Sequence, residues 1–374
     1  MIVHTTKFRN KTSDAFITPP APITKPATGD ILFHGIDWLA INFWGGVSPR
    51  LIEDLAGAVR SIIQLNGIRF KVIKGTSRNY HFHLKNPFMK ISIAHTGASH
   101  AYPTARVEFY PNYLHSVGRD TAYGEVKNLI ENVIFATPIQ KEQISRADLF
   151  VDVVSHHDFV PRNRDEIKYL ARTGRCYEDA NGKITGHVFG KKPIMLRIYN
   201  KTVELKQSKK NWLYDLWGVD TENVPNVWRV EYQLRGKFLK AHQISNFKDL
   251  ENSLNGLWFY LTKKWFSILT PKGKNKSRWP VKPIWAKIQD ASNLFGEPSK
   301  LTRQTTRQIN KVDLAASAYG TITTYAASEN IPDFEQAFTE FSSLIKSVNN
   351  NNNFSDIFER KRLEFEDISP KKKP

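Results

Sequence analysis

Three stretches decide the fold: SRADLFVDVV (145–154), IMLRIYNK (194–201) and VWRVEYQLR (227–235). Each alternates apolar with polar or charged residues, the period-2 pattern of a strand with one face in a core and the other in water. In the first, Ala147, Leu149, Val151 and Val153 oppose Arg146, Asp148 and Asp152. In the second, Leu196 and Ile198 oppose Arg197, Tyr199 and Lys201. In the third, Val230, Tyr232 and Leu234 oppose Arg229, Glu231, Gln233 and Arg235. If the strands pair, a tyrosine, a lysine, several arginines and three carboxylates share one surface. That set suits metal-assisted attack on a phosphodiester.

Outward from these strands, GIDWLAINFW (35–44) reads as another strand. SPRLIEDLAGAVRSIIQLNG (48–67) reads as one helix with Ser48 as N-cap, Pro49 at its first position and Gly67 beyond its end. Strands at 69–74, 89–95 and 104–110 complete a βαβββ unit. The plan then recurs: a helix around 121–135, strand 145–154, a helix near 163–173, and strands at 185–190, 194–201 and 227–235. Two short matches point to a duplication. Asp37 in GIDWLAI aligns with Asp148 in RADLFVD, and ARVEFY (105–110) parallels WRVEYQ (228–233), which sets Glu108 beside Glu231. The first copy shows no counterpart of the Arg197-Tyr199-Lys201 strand, so chemistry is expected in the second. The expected fold is α+β, an antiparallel sheet of duplicated units followed by a helical C-terminal region. The expected divisions are a flexible arm over 1–30, a sheet domain over 31–240, a helical basic region over 241–346 and a flexible tail over 347–374.

The chain has 374 residues, with 54 Lys+Arg against 36 Asp+Glu and a formal net charge of +18. Such an excess implies a polyanionic partner. Nucleic acid ranks ahead of a membrane surface, because the basic residues are spread along the chain and not gathered on one amphipathic helix. The single cysteine, Cys176, excludes an intrachain disulfide and a cysteine-based zinc site. With no apolar leader after the charged N-terminus and no run of membrane-spanning length, a cytoplasmic protein is expected. Candidate DNA contacts are Arg229 and Arg235, then Lys263 and Lys264 in WFYLTKKW (258–265), and Lys276, Arg278 and Trp279 in KNKSRWPVKPIW (274–285). For the helix-borne tryptophans, core packing is the simpler reading.

Tyr199 is the candidate nucleophile, because a phenolate attacks phosphorus once a nearby cation lowers its pKa. Lys201 and Arg197 are the cations that would do so, or would stabilise charge on the phosphate. Asp148, Asp152 and Glu231 offer the hard oxygens that Mg²⁺ or Mn²⁺ takes. Asp148 and Asp152 stand about 13 Å apart along an extended strand. Glu231 therefore pairs with Asp148 at the metal, and Asp152 orients Lys201 or an arginine. A solvated face of cross-strand ion pairs would use the same residue types. His81-Phe82-His83 matches the His-hydrophobic-His pattern of DNA-nicking enzymes, though histidines at the surface or contacting DNA are the default.

With these residues in view, the chain resembles the replication initiation factor family (Rep_trans), the rolling-circle initiators of plasmids and some filamentous phages. The resemblance rests on ISRADLFVD (144–152), GHVFGKKPIMLRIYNKTVEL (186–205) and VWRVEYQLRGKFL (227–239), with support from GIDWLAINF (35–43). It implies a site-specific single-strand endonuclease and strand transferase using Tyr199 and the acidic residues Asp148, Asp152 and Glu231. A 5′-phosphotyrosine intermediate at an origin, single-stranded or in a hairpin, is then expected, with a host helicase as partner and a homodimer as one role for the helical region. A conjugative relaxase with the same chemistry and a non-enzymatic DNA-binding regulator are the rival readings.

Overall fold

The computed structural model describes residues 26–77, 79–94, 102–171, 173–208, 211–220, 222–301, 311–349 and 354–362. Most of the N-terminal arm and the basic tail anticipated from sequence lie outside them. The strands are β1 (Ile31–Trp44), β2 (Ile62–Leu65), β3 (Ile68–Ser77), β4 (Tyr80–Lys85), β5 (Met89–Ile93), β6 (Ala105–Phe109), β7 (Lys141–Val154), β8 (Ile167–Tyr169), β9 (Gly174–Glu178), β10 (Ile184–Gly190), β11 (Ile194–Asn200), β12 (Val227–Arg235) and β13 (Phe266–Ile268). The helices are α1 (Pro49–Gly57), α2 (Pro111–Ser116), α3 (Arg119–Leu129), α4 (Lys201–Ser208), α5 (Trp212–Trp217), α6 (Gly236–Ala241), α7 (Phe247–Tyr260), α8 (Pro283–Asp290), α9 (Lys311–Ser328), α10 (Phe334–Val348) and α11 (Phe354–Arg362).

The protein is α+β. Eleven strands form one antiparallel sheet in the order β2-β3-β4-β5-β6-β1-β7-β12-β11-β10-β9, while β8 and β13 pair separately. The period-2 reading of the three deciding stretches holds for their apolar face, but the face expected in water is buried too, at Asp148, Asp152, Arg229, Glu231 and Gln233. Ala147, Leu149 and Val151 of β7, Leu196 and Ile198 of β11, and Val230, Tyr232 and Leu234 of β12 all enter one apolar core. Against that core pack α3 and α7, through Val126 and Leu129 and through Leu250, Leu254, Leu257 and Trp258. The opposite face carries the charged residues. A smaller apolar cluster covers one end of it, where Leu205, Leu213 and Trp217 of α4 and α5 meet Leu32, Val154 and Val227.

The duplication is visible as topology. β1 and β7 lie side by side at the middle of the sheet, β6 and β12 flank them, and β5 and β11 come next. Register corrects one of the two matches. Glu108 faces Ala40 and Glu231 faces Phe150, so β1 residues align one step away from the Asp37-to-Asp148 match. The first half also possesses the strand that seemed missing: in β5, Lys90 faces Glu108 and Ser92 faces Arg106, as Arg197 faces Glu231 and Tyr199 faces Arg229 in β11.

Local corrections follow from turn chemistry. The helix expected over 48–67 is capped by Ser48, whose Oγ accepts the Leu51 N–H, but stops at Gly57. Asn66 and Gly67, with φ of 45° and 81°, close a hairpin between β2 and β3, the strong two-residue signal for a primed turn. The helix expected near 163–173 is a single 3₁₀ turn followed by β8. Lys201 begins α4 instead of ending its strand, with the Asn200 side chain accepting the Val203 N–H. The boundary expected at 240 falls near Leu301, because α7 and α8 complete the core of the sheet unit. The second unit contains the α9–α10 hairpin, in which Tyr319 stacks on Phe334 and Tyr325 meets Phe341.

Candidate active site

On the polar face, a cleft of about 650 Å³ is lined by Asp37, Arg146, Asp148, Arg197, Tyr199, Lys201, Glu204 and Glu231, among others. Tyr199 is held there by a diagonal contact. Its hydroxyl donates to Glu231 Oε2 at 3.0 Å, across the β11–β12 ladder. Burial and the Glu231 charge push its pKa well above the usual tyrosine value, so the resting group is a neutral phenol with a carboxylate ready to take its proton. Tyr199 has room because Gly186 stands opposite it on β10. A Cβ added at that glycine would come within 3.0 Å of the Tyr199 Cβ.

The carboxylates Asp148 and Glu231 converge on one cationic nitrogen. Arg197 Nη2 donates to Asp148 Oδ2 at 3.1 Å and also to Glu231 Oε1. Arg146 grips both oxygens of Asp148 and lies over the Trp38 ring, 4.9 Å from its centroid. Despite these cations, burial and the nearby Glu231 raise the Asp148 pKa to about 7, with the Arg146 hydrogen bond opposing. Lys201 is buried, ion-paired with Glu204, and lies 5.5 Å from the Tyr199 ring centroid. Burial and the Arg229 charge lower its pKa.

Deeper still, Arg229 is fully buried and bound by two carboxylates. Its Nε and Nη2 donate to Asp152 at 2.6 and 2.8 Å, and its Nη1 donates to Asp37 at 2.6 Å. Trp217 Nε1 completes Asp152 at 2.9 Å. Asp152 therefore stands apart from the Asp148–Glu231 pair with its oxygens engaged by Arg229 and Trp217. Arg229 cannot meet DNA as the sequence reading had it, because no part of it reaches solvent.

Sequence reasoning missed Asp37 as a member of this site. A bulge between Ile36 and Trp38 leaves Asp37 outside the β1–β7 ladder. Its carboxylate meets Arg229 and, at 3.3 Å, His115. Burial opposes ionisation, but Arg229, His115 and Lys201 together hold its pKa far below the carboxylate range. Asp37 as the one charged carboxylate in β1 was the available signal.

Other candidates lie elsewhere. His81 and His83 sit on β4, six strand spacings from β11, or about 29 Å at roughly 4.8 Å each. His83 Nδ1 pairs with Ser92 Oγ at 2.9 Å. Lys263 and Lys264 follow α7 in the layer behind the sheet, with Lys263 over the Phe259 ring. Lys276 pairs with Asp165, Arg278 is exposed, and the Trp279 indole donates to the Gly273 carbonyl. None of these lines the cleft. Arg235 is half-buried on β12, directly opposite Arg146.

Asp148 and Glu231 carry the hard oxygens that Mg²⁺ or Mn²⁺ takes, but all four are engaged by Arg146, Arg197 and Tyr199, so a cation held by this pair would have to take the place of the Arg197 guanidinium between them. Among the described residues, no group of three or more His, Cys, Asp or Glu side chains gathers as a ready-made metal cage.

No family model matches the chain, and no curated protein matches it. Among solved structures, the chain is similar to the rolling circle replication initiator protein from Geobacillus stearothermophilus. The TM-score is 0.44 and the identity 20%, covering 72% of this chain and 98% of that one. A likeness of that size assigns no activity here. No helix among the described residues is long and apolar enough to cross a membrane.

Proposed function

We propose that this chain initiates rolling-circle replication by nicking one DNA strand and rejoining it through Tyr199. The observation that carries the reading is the Tyr199 phenol hydrogen-bonded to Glu231, at a cleft where Glu231 and Asp148 converge on Arg197. The Tyr199 oxygen attacks the phosphorus of an exposed strand while its proton passes to Glu231 Oε2. The bond from phosphorus to the 3′ oxygen breaks, that oxygen takes a proton from water, and the 5′ phosphate remains on Tyr199. Attack by a free 3′-OH reverses each bond change and closes the strand. Arg197 faces the charge that develops on the phosphate, and Lys201 supports the phenolate.

Charge balance argues for a divalent cation. Around the cleft, Arg146, Arg197, Lys201 and Arg229 face Asp37, Asp148, Asp152, Glu204 and Glu231. With Asp148 protonated, four cations only balance four carboxylates, and its ionisation tips the site negative, so neither state attracts a phosphate. Mg²⁺ or Mn²⁺ held by Asp148 and Glu231 would reverse that balance and polarise the phosphate as a Lewis acid. The strand must be melted or extruded to reach Tyr199, so an origin hairpin and a host helicase are the partners this reading requires. The helical C-terminal region is where it would dimerise.

The test is incubation with supercoiled DNA carrying the cognate origin and Mg²⁺ or Mn²⁺. A relaxed product with protein on its 5′ end, absent for Tyr199→Phe, is expected. No adduct with the natural chain, or an undiminished one with Tyr199→Phe, overturns the reading.

A further inference from the structure

The two halves of the sheet share a plan but not a charge. Lys90, Ser92, Arg106 and Glu108 occupy the first-half positions held by Arg197, Tyr199, Arg229 and Glu231 in the second, and Asn42 stands where Asp152 does. The exchange of Asp152 for Asn42 changes the electrostatics. Arg229 is bound by two carboxylates, whereas Arg106 donates to the neutral Asn42 and Ser145, at 3.2 and 2.8 Å, and shares Glu108 with Lys90.

Like charges are also set in register. Lys71 faces Lys85, and Lys85 faces Lys90, a row of three lysines across β3, β4 and β5. Arg69 lies on the same face of β3 and is exposed, as are Lys71 and Lys85. In the second half, next to the β1–β7 seam, Arg235 faces Arg146, and the Arg235 Nε is buried with no hydrogen-bond partner among the described residues. Like charges directly opposite each other destabilise a sheet, so two such rows on one face call for an anion to neutralise them. Burial and the neighbouring Arg146, with Arg106 and Arg197, lower the Arg235 pKa, which agrees with that crowding. Beside the arginines, Trp38 and Tyr110 place their rings 5.4 Å apart on this face, the kind of surface on which exposed bases stack.

We propose that the polar face of the first half binds the backbone of single-stranded DNA, so that one strand runs from the Lys71-Lys85-Lys90 row past Arg106, Arg146 and Arg235 to Tyr199. The first half is then a holding counterpart of the catalytic half, with Ser92 where the nucleophile would be. This rests on the nicking function proposed above. From β3 and β4, which carry Lys71 and Lys85, to β11 is seven and six strand spacings, about 34 and 29 Å. At a stacked rise of about 3.4 Å per nucleotide, a strand covers those distances in roughly nine to ten nucleotides.

The test measures binding without cleavage. Lys71→Gln/Lys85→Gln is made in the full chain carrying Tyr199→Phe. Its affinity for single-stranded oligonucleotides of about 20 and about 5 nucleotides, and for a 20-base-pair duplex, is followed against salt by fluorescence anisotropy. On the 20-mer the double variant is expected to bind about tenfold more weakly. Its log–log salt slope should be smaller by about 1.4, two phosphate contacts at about 0.7 each. The 5-mer should bind as before. Both lysines are exposed and outside the cleft, so the thermal midpoint should hold or rise as their mutual repulsion is removed. An unchanged slope on the 20-mer, an equal loss on the 5-mer, or an equal loss on the duplex overturns the proposal. Because the readout requires no cleavage, these outcomes leave the adduct test of Tyr199 unaffected. A natural chain that forms no adduct and binds no strand overturns both.

Discussion

At the scale of single residues, the site turns on what Glu231 does for Tyr199. A phenol whose pKa is raised cannot be a resting nucleophile, so its proton must leave during attack, and Glu231 Oε2 at 3.0 Å is placed to accept it. Glu231→Gln should therefore slow single-turnover adduct formation by about 10²- to 10⁴-fold while leaving oligonucleotide affinity within a few fold. A rate within twofold of the natural chain would remove Glu231 from that role. Asp148 gives a second expectation, with a sign. Burial raises its pKa from 3.8 to about 7, so the folded protein holds a proton that the unfolded chain releases. That contribution to stability is fully present below about pH 4 and is lost as pH rises through about 7. Asp148→Asn should flatten the fall in melting temperature between pH 5 and 8. Added Mg²⁺ should bind more weakly below pH 7, where it competes with that proton. Side-chain type and alternation made Tyr199, Asp148, Glu231 and Arg197 legible in the sequence. Asp37 was not legible as a site member, because a bulge aimed it there and period 2 carries no trace of a bulge.

At the scale of elements, register converts four strands into a site. Buried Arg229 ties β12 to β7 through Asp152 and to β1 through Asp37, three strands fixed by one guanidinium. Asp152→Ala would leave that charge half-paired with no water to compensate, and should cost about 3–5 kcal/mol by denaturant midpoint. A loss under about 1 kcal/mol would show that Asp37 alone suffices. Gly186→Val tests the neighbouring ladder. Its side chain would press on the Tyr199 Cβ, which a backbone glycine spares, so adduct formation should fall at least tenfold with the far-ultraviolet spectrum unchanged. The three deciding strands could be read because apolar and charged residues alternate along them, although in β7 and β12 the charged face is buried as well. The end of α1 could not be read by that route, since apolar residues continue at helical spacing past Gly57 into β2. The Asn66-Gly67 pair was the signal that outranked them. The strand expected over 89–95 is β5, but its equivalence to β11 went unnoticed, because Lys90 and Ser92 keep the positions of Arg197 and Tyr199 while changing their chemistry.

At the scale of the whole molecule, the placement of the core decides where the chain can be cut. Composition and the turn to helical periodicity after residue 236 suggested a nicking domain complete by 240, but periodicity reports how an element is patterned and not which core it closes. The apolar face of the sheet is covered from beyond that point. Tyr232 of β12 donates to the Leu261 carbonyl at 3.1 Å and meets the ring of Trp258, while Trp258 and Trp285 are fully buried and donate to the Ile288 and Thr262 carbonyls. A chain ending at residue 240 would expose Leu149, Val230, Tyr232 and Leu234 to water. At about 1.5–3 kcal/mol for each uncovered side chain, the loss of roughly 6–12 kcal/mol is comparable to the whole marginal stability of a domain. A chain ending at Leu301 keeps α7, α8 and the Ser299 contact with Gly256. The shorter chain should therefore be insoluble or lack a cooperative melt. The longer one should melt cooperatively and, if the cleft works as proposed, still form the Tyr199 adduct on a short exposed strand. Expression of both, followed by calorimetry and adduct formation, would decide it. A cooperative melt for the 240-residue chain would mean that the sheet can close its core without α7.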